Sequence, residues 1–216
     1  MRISHEAIYT YLYVLPRGAF TRELARYLRR RHRFRRPRTW RRSSRPIQDV
    51  ISIDERPAEV AARTVPGHWE GDLPVGHAHN SALGTLVERT TRFTLLVPLK
   101  AKAAMTVRRA FAREVRTLPA QLRRSLTYDQ GQEMREHRRF TKQTKMRVYL
   151  ADPQCPWEWG TNENTNGLLR QFVPKGTRLH QLSRHEIKRV QAMFNDRPRK
   201  VLNWHSPAHA FHQLLR

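Results

Sequence analysis

The sequence predicts an α/β domain: a mixed five-stranded sheet with helices on both faces, in the order βββαβαβα. Three observations predict it. Three strand-like runs follow one another between residues 67 and 98, separated by turn residues. From there to residue 150, helix-patterned stretches alternate with short apolar runs, which is the pattern of crossover connections. A further helical pattern then opens at the turn Gly160-Thr161-Asn162. A meander continued by crossovers gives a mixed sheet covered on both sides.

The elements follow in chain order. Ser4 is placed to cap a short helix carrying Ala7, Ile8, Tyr11 and Leu12, ended by Pro16-Arg17-Gly18. Thr21 caps a second, with Leu24, Tyr27 and Leu28 at helical spacing. Residues 1–28 therefore read as a helical segment, either the remnant of a helix-turn-helix or a plain helical hairpin. Residues 29–60 read as an Arg-rich linker. Its run from Arg29 to Arg45 cannot pack on itself, and Phe34 and Trp40 interrupt it. Arg35, Arg36, Arg41 and Arg42 are candidate phosphate contacts, with the aromatic rings available to bases or sugars. Ile47 to Val60 form a short lead-in.

The core is expected over residues 61–182. Gly67 to Val75 is the first strand, Leu83 to Glu88 the second and Phe93 to Pro98 the third, the last two forming a hairpin. Thr106 is read as the cap of a helix with Val107, Ala110, Phe111 and Val115 on one side, and Pro119 closes it. Ser125 to Asp129 is the fourth strand, a polar helix covers 132–143, and Met146 to Leu150 is the fifth strand. The next helix, starting near Asn162, groups Glu163, Asn166, Gly167 and Arg170 on one face and Leu168, Leu169, Phe172 and Val173 on the other. Residues 183–216 supply two C-terminal helices: one opens on the capping box Ser183-Arg184-His185-Glu186, the other on Ser206-Pro207.

Charge narrows the function. The 216 residues hold 42 Lys+Arg against 18 Asp+Glu, a net +24 with a pI near 11.6. Such an imbalance excludes an ordinary neutral metabolic enzyme and calls for a polyanionic partner, nucleic acid before an anionic membrane surface. No apolar run is long enough to span a bilayer, and no signal peptide opens the chain, so no membrane role and a cytoplasmic location are expected. Cys155 is the single cysteine, which rules out an internal disulfide and a cysteine-based zinc site.

Within this basic chain, three carboxylates are candidates for one site. Asp72 lies toward the end of the first strand, Asp129 ends the fourth, and Glu163 stands in the first turn of the helix after the fifth. If the first and fourth strands are neighbours, both aspartates emerge at one sheet edge, where the helix can bring Glu163 to them. Three carboxylates so placed repel one another and need a cation between them. Oxygen ligands without thiolates suit Mg²⁺ or Mn²⁺, and two ions about 3.5–4 Å apart would serve phosphodiester chemistry. Spacing alone is weak, because Glu70, Glu133, Asp152 and Glu158 compete as ligands. Arg170 and Lys175 are candidate phosphate contacts against plain surface charge, and Asn166 either orients Glu163 or touches DNA. His205, His209 and His212 read as polar residues of a tail helix rather than as a transition-metal site.

The flanking sequence adds a resemblance. Trp69-Glu70-Gly71-Asp72-Leu73, Tyr128-Asp129-Gln130-Gly131-Gln132-Glu133-Met134, and Gly160 to Phe172 running on through Pro174-Lys175-Gly176-Thr177 resemble the transposases of the IS30 family of bacterial insertion sequences. Asn195-Asp196-Arg197-Pro198-Arg199-Lys200 and Ser206-Pro207 are similar too. The resemblance implies an RNase H-like, retroviral-integrase-type core with a DDE metal triad at Asp72, Asp129 and Glu163. It also implies cleavage of DNA at the element's terminal inverted repeats and attack of the freed 3′-hydroxyl on target DNA. No covalent protein intermediate is implied, and at least two copies of the chain are implied in the active complex. Members usually carry a helix-turn-helix region ahead of Ile3-Ser4-His5-Glu6, so an N-terminally truncated copy is expected. Pro74 replaces an aliphatic residue and Trp159 a basic one. These departures keep open the alternative of an inactive DNA-binding remnant.

Overall fold

The computed structural model describes residues 47–73, 82–152, 160–174, 177, 179 and 182–215, with the backbone alone at Glu163. The helices are α1 (Ala58–Ala62), α2 (Ala104–Val115), α3 (His137–Thr144), α4 (Gly160–Leu169), α5 (Arg184–Asp196) and α6 (Pro207–Gln213). The strands are β1 (His68–Asp72), β2 (Ala82–Glu88), β3 (Thr94–Leu99), β4 (Ser125–Tyr128) and β5 (Arg147–Leu150), joined in one sheet of order β3-β2-β1-β4-β5. The first three strands are antiparallel, while β4 runs parallel to both β1 and β5. The mixed five-stranded sheet expected from the sequence is therefore observed.

The β2–β3 hairpin is fixed by its turn. Glu88 is fully buried, and its carboxylate accepts from Thr90 N (3.0 Å), Thr91 N (2.6 Å), Thr91 Oγ1 (2.7 Å) and Gly67 N (3.1 Å). Four donors on one carboxylate compensate its loss of water. Arg92, in the left-handed region at φ 62°, completes the reversal.

Alternation along the strands sends side chains into two apolar layers. On one face Leu86, Leu95, Val97, Leu126, Tyr128 and Val148 pack against Val107, Phe111 and Val115 of α2 and Phe140 of α3. Gly84 belongs to this face, and a Cβ there would run into the Phe111 ring, so the close seating of α2 depends on its missing side chain. Phe211 of α6 joins the same layer, stacked on Phe93 at 4.2 Å and edge-on to Trp69 at 6.2 Å between centroids. On the other face Leu83 and Leu96 pack against Leu169 of α4 and Ile187 and Phe194 of α5.

Both margins of the sheet are occupied by the chain itself. At the β5 side, Leu150 N donates to Ile51 O (2.9 Å) and Ser52 forms a parallel bridge with Leu150. Ile47, Ile53 and Val60 of the lead-in are buried. At the β3 side, side chains of α5 take the place of a strand: Thr94 N donates to Asn195 Oδ1 (2.9 Å), Asn195 Nδ2 to Thr94 O (2.9 Å) and Leu96 N to Gln191 Oε1 (2.8 Å).

Three local expectations are corrected. α2 begins at Ala104 after Ala103, without a side-chain cap, so Thr106 lies inside its first turn. The polar stretch 132–143 divides into a 3-10 turn (Gln132–Met134) and α3. α4 begins at Gly160, two residues before Asn162. The capping boxes at Ser183 and the cap at Ser206 stand where the sequence puts them.

Candidate active site

The parallel pairing of β1 with β4 sets His68 opposite Ser125, Trp69 opposite Leu126 and Glu70 opposite Thr127. This register runs toward Asp72, the last residue of β1, and Asp129, the residue directly after β4, which stops one residue short of the strand end expected there. Alternation sends both aspartates to the face of Glu70 and Thr127, which is the face that α4 covers. Gly71 lets the strands close here: a Cβ on it would stand 2.6 Å from Tyr128 Cδ2.

α4 is laid along β1 by polar contacts rather than by an apolar stripe. Asn162 N donates to Glu70 Oε2 (2.9 Å), and one turn later Asn166 Nδ2 donates to Asp72 Oδ2 (2.6 Å). Thr85 of β2 stands between them, with Oγ1 2.9 Å from Asn162 Oδ1 and 3.1 Å from Asn166 Oδ1. The hydroxyl has one proton for these oxygens, and Asn162 Nδ2 is buried without a partner among the described residues. Turning the Asn162 amide end for end makes it a donor to Thr85 and satisfies the group. Arg92 Nη1 donates to Thr161 Oγ1 (2.7 Å) at the start of the helix. Thr161, Asn162 and Thr165 are buried in consequence. The outward polar face expected of this helix is thus in part its inward face. Glu163 lies in the first turn, between Asn162 and Asn166; its side chain is outside the described residues.

The electrostatics follow from crowding. Burial, then Glu133, then Asp72 push the Asp129 carboxyl up from the usual 3.8 to about 7, against the pull of the Gly131 N–H at 3.4 Å. Asp72 is better served, with Oδ1 accepting from Leu73 N (2.7 Å) and Oδ2 from Asn166. Burial holds the Arg170 guanidinium below its ordinary value while Asp72 pulls it back up. Burial, then Glu133, Asp129 and Asp72 raise the Tyr128 hydroxyl. Two carboxylates repelling each other at a partly buried edge, with only oxygen donors present, fit a hard divalent cation. Among the described residues, no group of three or more His, Cys, Asp or Glu is placed to hold a metal ion.

Comparison with known proteins decides what kind of core this is. Residues 62–156 match the family described as Integrase core domain, and they span β1 to β5 and both aspartates. This part of the chain is similar to an integrase core. Over its whole 216 residues it is 46% identical to the transposase for insertion sequence element IS1086 of Cupriavidus metallidurans, covering 100% of this chain and 64% of that one. It is 43% identical over 211 residues to transposase InsI for insertion sequence element IS30A of Escherichia coli, covering 96% of this chain and 55% of the relative. It is 32% identical over 214 residues to the transposase for insertion sequence element IS4351 of Bacteroides fragilis, covering 99% and 65%. The chain therefore spans between 55% and 65% of the length of these relatives.

The site residues read from sequence divide into three groups. Asp72, Asp129, Asn166 and Arg170 come together at the end of β1, where Asn166 spends its amide on Asp72 and Thr85. His205 and His209 stack on each other at 5.0 Å beside α6, and His209 meets Gln213. Lys175, Arg35, Arg36, Arg41, Arg42, Pro74, Cys155, Trp159 and the helices expected over residues 1–28 lie outside the described residues. Sequence reasoning missed Thr85, Arg89, Arg92 and Asn162. It counted Glu70 only as a rival ligand, and it did not join Glu133 to the acidic group. The alternation that puts Glu70 on the face of Asp72 was the available signal. Among the described residues, no helix is long and apolar enough to cross a membrane.

Proposed function

We propose that this chain is the catalytic part of an IS30-type transposase that cleaves DNA at the ends of an insertion element and joins them to target DNA. The observation that carries the reading is the bond from Asn166 Nδ2 to Asp72 Oδ2, which ties the helix of Glu163 to the end of β1, beside the strand β4 that leads into Asp129. Asp72, Asp129 and Glu163 are the residues to hold Mg²⁺ or Mn²⁺, as two ions. Bound there, the cations would neutralise the phosphodiester and lower the pKa of the attacking hydroxyl or water. Asn166 keeps the Asp72 carboxylate turned toward the edge. Arg170, half-buried beside Asp72, and Lys175 are positioned in the chain to meet phosphate oxygens. In the first step water attacks phosphorus at the element's end and the bond to the 3′-oxygen breaks, leaving a free 3′-hydroxyl. In the second, that hydroxyl attacks a target phosphodiester and displaces the target's own 3′-oxygen.

The remaining assignments follow the same reading. Residues 1–28 and the linker 29–60, with Arg35, Arg36, Arg41 and Arg42, would hold DNA. Residues 61–182 form the catalytic core and 183–216 pack on it. The active complex contains at least two copies and works on DNA in the bacterial cytoplasm.

The test is cleavage of duplexes bearing the element's terminal repeats in Mg²⁺. Wild type is expected to cut, and Asp129→Asn to lose about 100-fold or more in rate. Equal cutting by both would remove the triad assignment. Salt-sensitive binding with no nicking in any divalent cation would instead identify a DNA-binding remnant.

A further inference from the structure

We propose that Glu70 is a positioning residue for the acidic site: its carboxylate, paired with Arg89, holds the first turn of α4 on β1 and so sets Glu163 relative to Asp72. This rests on the reading of the site given above. Glu70 is 0% exposed. Its Oε1 pairs with Arg89 Nη1, and its Oε2 accepts the backbone N–H of Asn162 at 2.9 Å. That N–H belongs to the first turn of a helix, where backbone donors have no intrahelical partner and a negative charge is favoured.

The placement on the two chains is what gives this contact meaning. Glu70 is two residues before Asp72 on the same face of β1, and Asn162 immediately precedes Glu163. A single carboxylate therefore spans the interval between the strand that presents one acid and the helix that carries another. Arg89 is itself fixed, donating from Nε to Val60 O at 3.1 Å. Arg92, from the same hairpin turn, makes the second tie at Thr161. With both oxygens committed inside the protein, Glu70 is not a cation ligand. Nor is stability enough to account for it, since a buried ion pair is commonly matched by apolar residues of similar volume.

Two double variants of the full chain separate positioning from packing. Glu70→Gln with Arg89→Gln removes both charges but retains an acceptor oxygen for Asn162 N–H. Glu70→Leu with Arg89→Leu fills similar volume and removes the acceptor. Mn²⁺ binding to the DNA-free chain by calorimetry, the thermal midpoint, and kcat and KM for DNA are measured on each. The leucine pair, folded, is expected to weaken Mn²⁺ binding and to lower kcat by about 10–100-fold each, with KM for DNA unchanged. The glutamine pair is expected to stay near wild type in all of these. A folded leucine pair that binds Mn²⁺ like wild type overturns the proposal, as does a glutamine pair as defective as the leucine pair. If the leucine pair does not fold, amide exchange in the wild-type chain decides: protection of Asn162 N–H supports the brace, and exchange at the rate of an open helix end overturns it. Failure of the site reading shows separately, as Mn²⁺ binding that Asp129→Asn leaves unchanged, and the exchange measurement still tests the Asn162 contact.

Discussion

Asn166 Nδ2 lies 2.6 Å from Asp72 Oδ2 while its Oδ1 faces Thr85, so one amide joins a β1 carboxylate to a β2 hydroxyl across the base of α4. Asn166→Ala removes the donor from a partly buried carboxylate and leaves the backbone of α4 intact. The expected result is a loss of about 10–100-fold in DNA cleavage, as for other partners of metal-binding side chains. Unfolding in urea should change by only about 1 kcal/mol, since a single hydrogen bond is lost. Cleavage rates and urea midpoints measured on the same preparation check both halves.

His68 gives a pH dependence. Its Nδ1 meets Ser125 Oγ at 2.7 Å, and its Nε2 is 3.4 Å from the Glu59 carboxylate. Burial lowers its pKa below the usual 6.5; Glu59 raises it, Arg124 and Arg89 lower it further, and burial prevails. The folded chain therefore resists a proton that the unfolded chain accepts. The stability gained by keeping the ring neutral is complete above the unfolded value and is lost as pH falls through the lower folded value. The urea midpoint of wild type should drop more between pH of about 7 and about 5 than that of His68→Gln. Parallel curves for the two proteins would remove this origin.

Gly84→Ala tests the seating of α2. The added methyl meets the Phe111 ring in a layer with no slack, and overpacking of this kind costs about 1–3 kcal/mol. Phe111→Leu in the same chain should return part of that loss. Thermal midpoints of the single and double variants give the coupling.

Glu88→Ala removes the acceptor for Gly67 N, Thr90 N, Thr91 N and Thr91 Oγ1 together. Each buried donor left without a partner costs roughly 1–3 kcal/mol, so this variant should be among the most destabilised single substitutions in the core. Amide exchange at Thr90 and Thr91 should rise ahead of global unfolding, which locates the damage in the hairpin turn.

What the sequence made legible was set by short-range chemistry. Strand runs, the β2–β3 hairpin, the Ser183 and Ser206 caps and Asp72 at the end of β1 all depend on residues close in the chain, and each is where the pattern puts it, while β4 stops at Tyr128, one residue before Asp129. The inward side of α4 was not legible. Leu169 and Val173 are buried as their spacing implies, but so are Thr161, Asn162 and Thr165. Arg92, the partner of Thr161, and Glu70 and Thr85, the partners of Asn162, sit about 70–90 residues earlier, and no local periodicity reports such pairings. Glu70 was ambiguous for a related reason. Period-two alternation places it beside Asp72, and it cannot distinguish a carboxylate meant for a guanidinium from one meant for a cation.

The sealed margins of the sheet bear on how copies could assemble. The outer amides of Thr94 and Leu96 at the β3 side are taken by Asn195 and Gln191, and residues 51–52 meet the β5 side at Leu150. The β3 flank therefore lacks the open ladder that strand-to-strand recruitment requires. A second copy docked against that flank would meet side chains of α5 rather than strand backbone, so surface substitutions on α5 would alter such a contact without touching the β-structure that carries Asp72 and the end of β4.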